Sequence, residues 1–99
     1  MQKLHWVYII ASRRRGALYI GVTNDLGRRI REHRMGVGSE HADRYRIWKL
    51  VYIESYSDIR DAIVREKQLK RWRRQWKFDL IERANKPWDD LYRLPLPQN

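Results

Sequence analysis

The stretch VYIIASRRRGALYIGVTNDLGRRIREH, residues 7–33, decides how this chain folds. With Trp6 ahead of it, segments 6–11 (WVYIIA) and 17–22 (ALYIGV) are β-branched and aromatic runs that read as strands. The five residues between them, 12–16, end in glycine and read as a hairpin loop. Asn24 or Asp25 then caps a helix from about Leu26 to Arg34, with Gly27 in its first turn at some cost in helix stability. Beyond it, residues 35–47 carry Gly36, Gly38 and Ser39 without a clear period and read as irregular. A third strand is expected at 49–55 (KLVYIES), and a second helix, capped by Ser57 or Asp58, at 59–70. A third helix is expected at 73–84, with Trp76, Leu80 and Ala84 on one stripe. Pro87, Pro95 and Pro97 mark a loose C-terminal end. The order β-β-α-β-α-α predicts an α+β fold, a small three-stranded antiparallel sheet flanked by helices, with one domain over 1–92 and a tail at 93–99.

At 99 residues the chain has room for one modest core. It contains no cysteine, which excludes disulfides and cysteine-based zinc sites and suits a reducing compartment. No signal-like segment follows Met1, and no apolar run approaches the roughly 20 residues that span a bilayer. A cytoplasmic protein without a membrane partner is expected. Charge points further. Twenty-two Lys and Arg against 12 Asp and Glu give a net charge of +10, a field that attracts polyanions through counterion release. Five tryptophans and six tyrosines offer faces on which bases can stack. Arg13, Arg14 and Arg15 at the hairpin, and the cluster Lys67, Lys70, Arg71, Arg73 and Arg74, are the candidate phosphate contacts. The plainer alternative is that these charges only keep the chain soluble.

Several residues sit where a core or a solvated face would not put them. On the first helix Leu26, Ile30 and His33 share one face, and Arg29 lies one turn before His33 on its flank. Either Arg29 and His33 are structural, or the packed edge holds them for chemistry. On the second helix Glu66 falls within the stripe of Ile59, Ala62, Ile63 and Leu69, so it needs a cationic partner or a metal. Alternation sends Tyr8 and Ile10 to one sheet face and Val7 and Ile9 to the other. Gly21, two residues after Tyr19, opens space on the Tyr19 face, which fits a close approach or a bulge. Two phenols, an arginine, a histidine and a lone carboxylate supply what phosphodiester hydrolysis needs: a base for water, a cation for the developing charge, and an anchor for one Mg²⁺.

The order Tyr8, then YIG at Tyr19-Ile20-Gly21, then Arg29, His33 and Glu66 resembles the GIY-YIG nuclease superfamily, most of all its small single-domain bacterial branch. That branch also shows YIGVTNDL, RR, EH, LVYIE and REKQLK, here at 19–26, 28–29, 32–33, 50–54 and 65–70, and a closing asparagine with W-DLY over 85–92. The resemblance spans about 6–92. It implies that Tyr8 and Tyr19 flank the scissile phosphate, one of them as general base. It further implies that Arg29 stabilises the pentavalent phosphate, His33 assists proton transfer or phosphate binding, Glu66 binds the single Mg²⁺ or Mn²⁺, and Asn85 completes the site. Trp6-Val7-Tyr8 stands where the signature has Gly-Ile-Tyr, His41-Ala42 falls where an aromatic and threonine are common, and Lys86 splits the Asn-Pro pair. The resulting expectation is a metal-dependent endonuclease acting on DNA, the rival being a non-catalytic nucleic-acid-binding module of the same fold. Targeting would come from the 35–47 loop, the hairpin or a protein partner.

Overall fold

β1 (His5–Ala11) and β2 (Leu18–Thr23) form the expected hairpin, antiparallel, with Tyr8 opposite Gly21 and Ile10 opposite Tyr19. β3 (Lys49–Tyr56) pairs antiparallel with the other side of β1, so the sheet order is β2-β1-β3, with a register shift between Ile9 and Ile10. This computed structural model describes residues 3–37, 39–44 and 46–93; Gly38 and all of the expected tail but Arg93 lie outside them. The result is the α+β architecture read from the sequence.

As the middle strand, β1 is covered on both faces, which is why it reads as a continuous apolar run rather than an alternating one. Trp6, Tyr8 and Ile10 pack with Leu26 and Ile30 of α1 (Leu26–Arg34). Val7, Ile9 and Ala11 pack with Ala62 and Leu69 of α3 (Ile59–Arg71) and with Phe78 and Ile81 of α4 (Arg74–Ala84). Of the paired capping candidates the aspartates serve: Asp25 accepts from the Arg28 amide and Asp58 from the Arg60 amide.

Three readings need correction. The segment read as irregular contains a short helix, α2 (Glu40–Arg44), started by Ser39, whose hydroxyl accepts from the Ala42 amide at 3.3 Å. Five residues show too little periodicity to announce themselves. The α4 stripe is only partly that of Trp76, Leu80 and Ala84: Phe78 and Ile81 are buried and Leu80 packs against the same core, while Trp76 is half exposed and meets the Trp72 ring edge-on at 6.1 Å. On α3, Ile59 and Ile63 stay exposed, and the inward residues are Ala62 and Leu69. Tertiary packing chose a narrower stripe than the apolar residues offered.

β3 and α3 are tied by a network the sequence reading did not assign. The Glu54 carboxylate accepts from the Tyr52 hydroxyl at 2.6 Å, the Tyr56 hydroxyl at 2.7 Å and the Arg65 guanidinium at 3.0 Å. Although burial favours its neutral form, these donors hold Glu54 below the usual carboxylate range, and they fix α3 along the sheet.

Gly21 is the position where absence of a side chain matters most. A Cβ there would lie 2.5 Å from Cζ of Tyr8 and clash with the phenol oxygen. The space that glycine opens is therefore filled by the neighbouring strand's tyrosine; no bulge interrupts the β1–β2 pairing at this pair. Gly21→Ala should cost about 1–3 kcal/mol, as overpacking does, and push the Tyr8 ring off its present position. Urea unfolding measures the first effect and the Tyr8 ring resonances the second.

Candidate active site

The hairpin places Tyr8 and Tyr19 diagonally on one face, 6.3 Å apart between ring centroids, and α1 lies across that face. One helical turn then brings Arg29 and His33 over the phenols. The Arg29 Nε donates to Tyr8 Oη at 3.2 Å, and Tyr8 Oη lies 2.9 Å from His33 Nε2. With the guanidinium filling a lone pair of the oxygen, the phenol proton is the one directed at Nε2. His33 then carries its own proton on Nδ1, a buried atom with no protein partner. The Tyr19 ring stands edge-on to His33 at 5.0 Å, and the Tyr19 hydroxyl also hydrogen-bonds Arg29.

Electrostatics follow from this packing. Burial pushes the Tyr8 phenol up to about 12, with Arg29 opposing the shift and the Glu66 carboxylate adding to it. Burial, and then the neighbouring Arg29 charge, lower His33 to about 4. Burial works against the Arg29 charge, yet its bonds to Tyr8, Glu32 and Tyr19 hold the guanidinium firmly protonated. At neutral pH the trio is therefore a cation, a neutral phenol and a neutral imidazole. Glu32 was not among the expected site residues, but it fixes Arg29 Nη1 at 3.2 Å and also pairs with Arg28. The spacing of three between Arg29 and Glu32 was the available signal.

Glu66 sits on α3 between Ala62 and Leu69, at the side where α3 packs against β1 and β2. Its Oε2 is 3.5 Å from Nζ of Lys70, whose side chain is half exposed. The cationic partner that the sequence demanded is thus a lysine open to solvent, not a second buried charge. Asn85 is placed elsewhere. It caps α4 beside β3, where its Nδ2 donates to the Val51 and Asp89 carbonyls and its Oδ1 accepts from the Asp89 amide. Its bonds pin the following turn to β3, and it does not join Tyr8 and His33.

The basic residues also divide. Arg15 and Arg74 are committed to the fold: Arg15 makes a bidentate pair with Glu82 at 2.8 and 2.9 Å, and Arg74 donates to the Arg15 and Gly16 carbonyls. Both guanidiniums lie over the Phe78 ring. Arg73 covers Trp76, and Lys70 faces Glu66. Arg13, Arg14, Lys67 and Arg71 are exposed. A small cleft that the sequence did not announce adjoins Tyr19, with His41, Lys70 and Lys77 in its walls. Burial and the nearby Arg74 charge lower the Lys77 ammonium.

A model of the GIY-YIG catalytic domain family matches residues 4–79, from the entry to β1 into α4. The chain belongs to the GIY-YIG family. UPF0213 proteins of Staphylococcus epidermidis and Staphylococcus aureus are 35% and 36% identical to it over 78 residues, which is 79% of this chain and 94% of theirs. The solution structure of a UPF0213 protein from Bacillus halodurans superposes with a TM-score of 0.56 at 26% identity, covering 95% of this chain and 99% of that one. The GIY-YIG match includes Tyr8, Tyr19, Arg29, His33 and Glu66 and stops short of Asn85. Among the described residues no helix is long and apolar enough to cross a membrane.

Proposed function

We propose that this GIY-YIG domain is a divalent-metal-dependent endonuclease that hydrolyses phosphodiester bonds in DNA. The observation that carries the reading is the hydrogen-bonded line Arg29–Tyr8–His33, a fixed cation and a neutral base joined through one phenol oxygen. In hydrolysis a water attacks phosphorus while the bond to the leaving oxygen breaks. The Tyr8 oxygen takes the water's proton as its own proton passes to His33 Nε2, so no charged phenolate need form in the buried site. A phosphodiester arriving beside the imidazole raises its basicity from the low value burial imposes. Arg29 is positioned to meet the charge that builds on the phosphate oxygens, and Tyr19, flanking both rings, to orient the water or the phosphate.

Among the described residues no three His, Cys, Asp or Glu side chains gather, and the carboxylate we assign to a metal is that of Glu66. That donor set fits Mg²⁺, or Mn²⁺ in its place, which keeps water ligands and takes others from substrate phosphate. When bound, the ion supplies Lewis-acid neutralisation of charge at the phosphate.

Labelled single-stranded, duplex and flap DNA, with RNA alongside, incubated with Mg²⁺, Mn²⁺ or chelator, test the activity. Metal-dependent cutting of DNA is expected. Binding without cutting under every metal condition would leave the non-catalytic module as the answer. The exposed hairpin arginines should carry part of the non-specific affinity. Replacing Arg13 and Arg14 by Gln should weaken binding alike across sequences and flatten the log–log salt dependence by about one unit per lost contact. An unchanged slope would take the hairpin off the binding face.

A further inference from the structure

The end of α1, α2 and the residues leading into β3 line an open cleft of about 590 Å³. That lies within the roughly 300–1,000 Å³ of small-ligand sites. His33, the imidazole that meets Tyr8, forms one of its walls. Arg34, Asp43, Arg44, Arg46 and Trp48 supply others, so the cleft sets three guanidiniums and one carboxylate beside a large aromatic surface. Trp48 is 44% exposed, an unusual place for the most expensive side chain to leave in water. It is nevertheless held: Arg34 lies over its ring at 5.3 Å and donates to its carbonyl, while pairing with Asp90 at 2.7 Å. Arg46 adopts a left-handed backbone, φ 54°, which costs a non-glycine residue energy and turns the chain at the cleft rim.

We propose that this cleft is a nucleotide subsite. It receives one unstacked nucleobase of the strand being cut, laid against the Trp48 indole, with the adjoining phosphates on Arg44 and Arg46. The inference rests on the nuclease reading and narrows it. Since His33 is shared, the base in the cleft belongs to a nucleotide beside the scissile phosphate. Bases held in a continuous duplex cannot reach a walled cleft without leaving the stack, so strands with an unpaired nucleotide at the cut are favoured. Neither Arg44 nor Arg46 has an acidic partner among the described residues, and both are exposed.

The test needs no cleavage. The full-length protein is titrated in chelator with a short single-stranded DNA, the matching RNA, an abasic oligonucleotide of the same length, and inorganic phosphate. The indole N–H resonances are followed, with Trp48→Phe assigning the relevant one. The Trp48 signal should move with either base-bearing strand and much less with the abasic strand or phosphate. Trp48→Ala, shown to be folded by its melting curve, should weaken base-bearing strands by about 5- to 100-fold and leave abasic affinity unchanged. An abasic strand that moves Trp48 equally, or a strand that binds with Trp48 silent, overturns the subsite and leaves the nuclease reading standing. Failure of every nucleic acid to bind removes both.

Discussion

Tyr8→Phe should fold and fail to cut. The ring keeps its place over Gly21, and the packing with Leu26 and Ile30 is untouched. What leaves is the oxygen that joins Arg29 to His33. Arg29 retains Glu32 and Tyr19, so the stability loss is that of one buried donor–acceptor site, about 1–2 kcal/mol. The proton path from water to imidazole is broken, and loss of a general base costs about 10²–10⁴-fold in rate. Cleavage assays with a melting curve on the same preparation check both halves. Tyr19→Phe should also lose activity, but its partner Arg29 stays fixed by Tyr8, so the smaller loss is expected there. A larger loss at Tyr19 would move the base to that phenol; near wild-type cleavage by both variants would move it to His33 alone. The pH profile supplies an independent reading. His33 must be neutral to accept the proton, and burial lowers it to about 4, so the acid limb of kcat/KM should fall near pH 4 rather than near the ordinary histidine value. The same shift bears on stability. The folded imidazole resists a proton that the unfolded one accepts, so stability should decline as pH drops from about 6.5 through 4.

Where residues 7–33 obeyed one rule at a time, they were legible. Apolar runs interrupted by a glycine-ended loop can hardly avoid a hairpin, and the aspartate before Leu26 sets the start of α1. Once the hairpin and helix exist, the spacing of four between Arg29 and His33 brings both over the tyrosines, so the meeting of these side chains was readable too. Gly21 was seen as an opening without its occupant, because cross-strand register cannot be read from one strand. The partners of Asn85 and Arg15 went unread for a common reason. Residue type announces a polar group but not its partner, and these found theirs within the fold, in the Val51 carbonyl and the Glu82 carboxylate. Glu54 went unassigned because LVYIE reads simply as strand, while two phenols and Arg65 converge on it only after β3 meets α3. The 35–47 segment held the largest unread feature. Its five-residue helix builds one wall of the cleft at Trp48, and a single turn leaves no periodic trace.

Glu66→Gln separates the two origins that a carboxylate within an apolar stripe can have. If Glu66 were half of a buried structural pair, removing its charge would strand a cation in the core and cost about 3–5 kcal/mol. Its observed partner is Lys70 at 3.5 Å with half of its side chain in solvent, and a pair of that kind contributes no more than about 1 kcal/mol. Glutamine keeps the volume between Ala62 and Leu69, so the variant should melt within a few degrees of the parent. Binding to DNA should persist, because the +10 charge of the chain is raised, not lowered, by the change. Cleavage should fall by about 10²–10³-fold or more, since the carboxylate proposed to anchor Mg²⁺ is gone. Titration with Mn²⁺ gives a second readout: paramagnetic broadening of signals near Tyr8 and Lys70 should appear in the parent at low metal and require far more in the variant. A variant that melts early would return Glu66 to a structural role. One that melts normally, broadens as the parent does and still cuts would place the metal on substrate phosphates alone, with the proton path through Tyr8 and His33 unaffected.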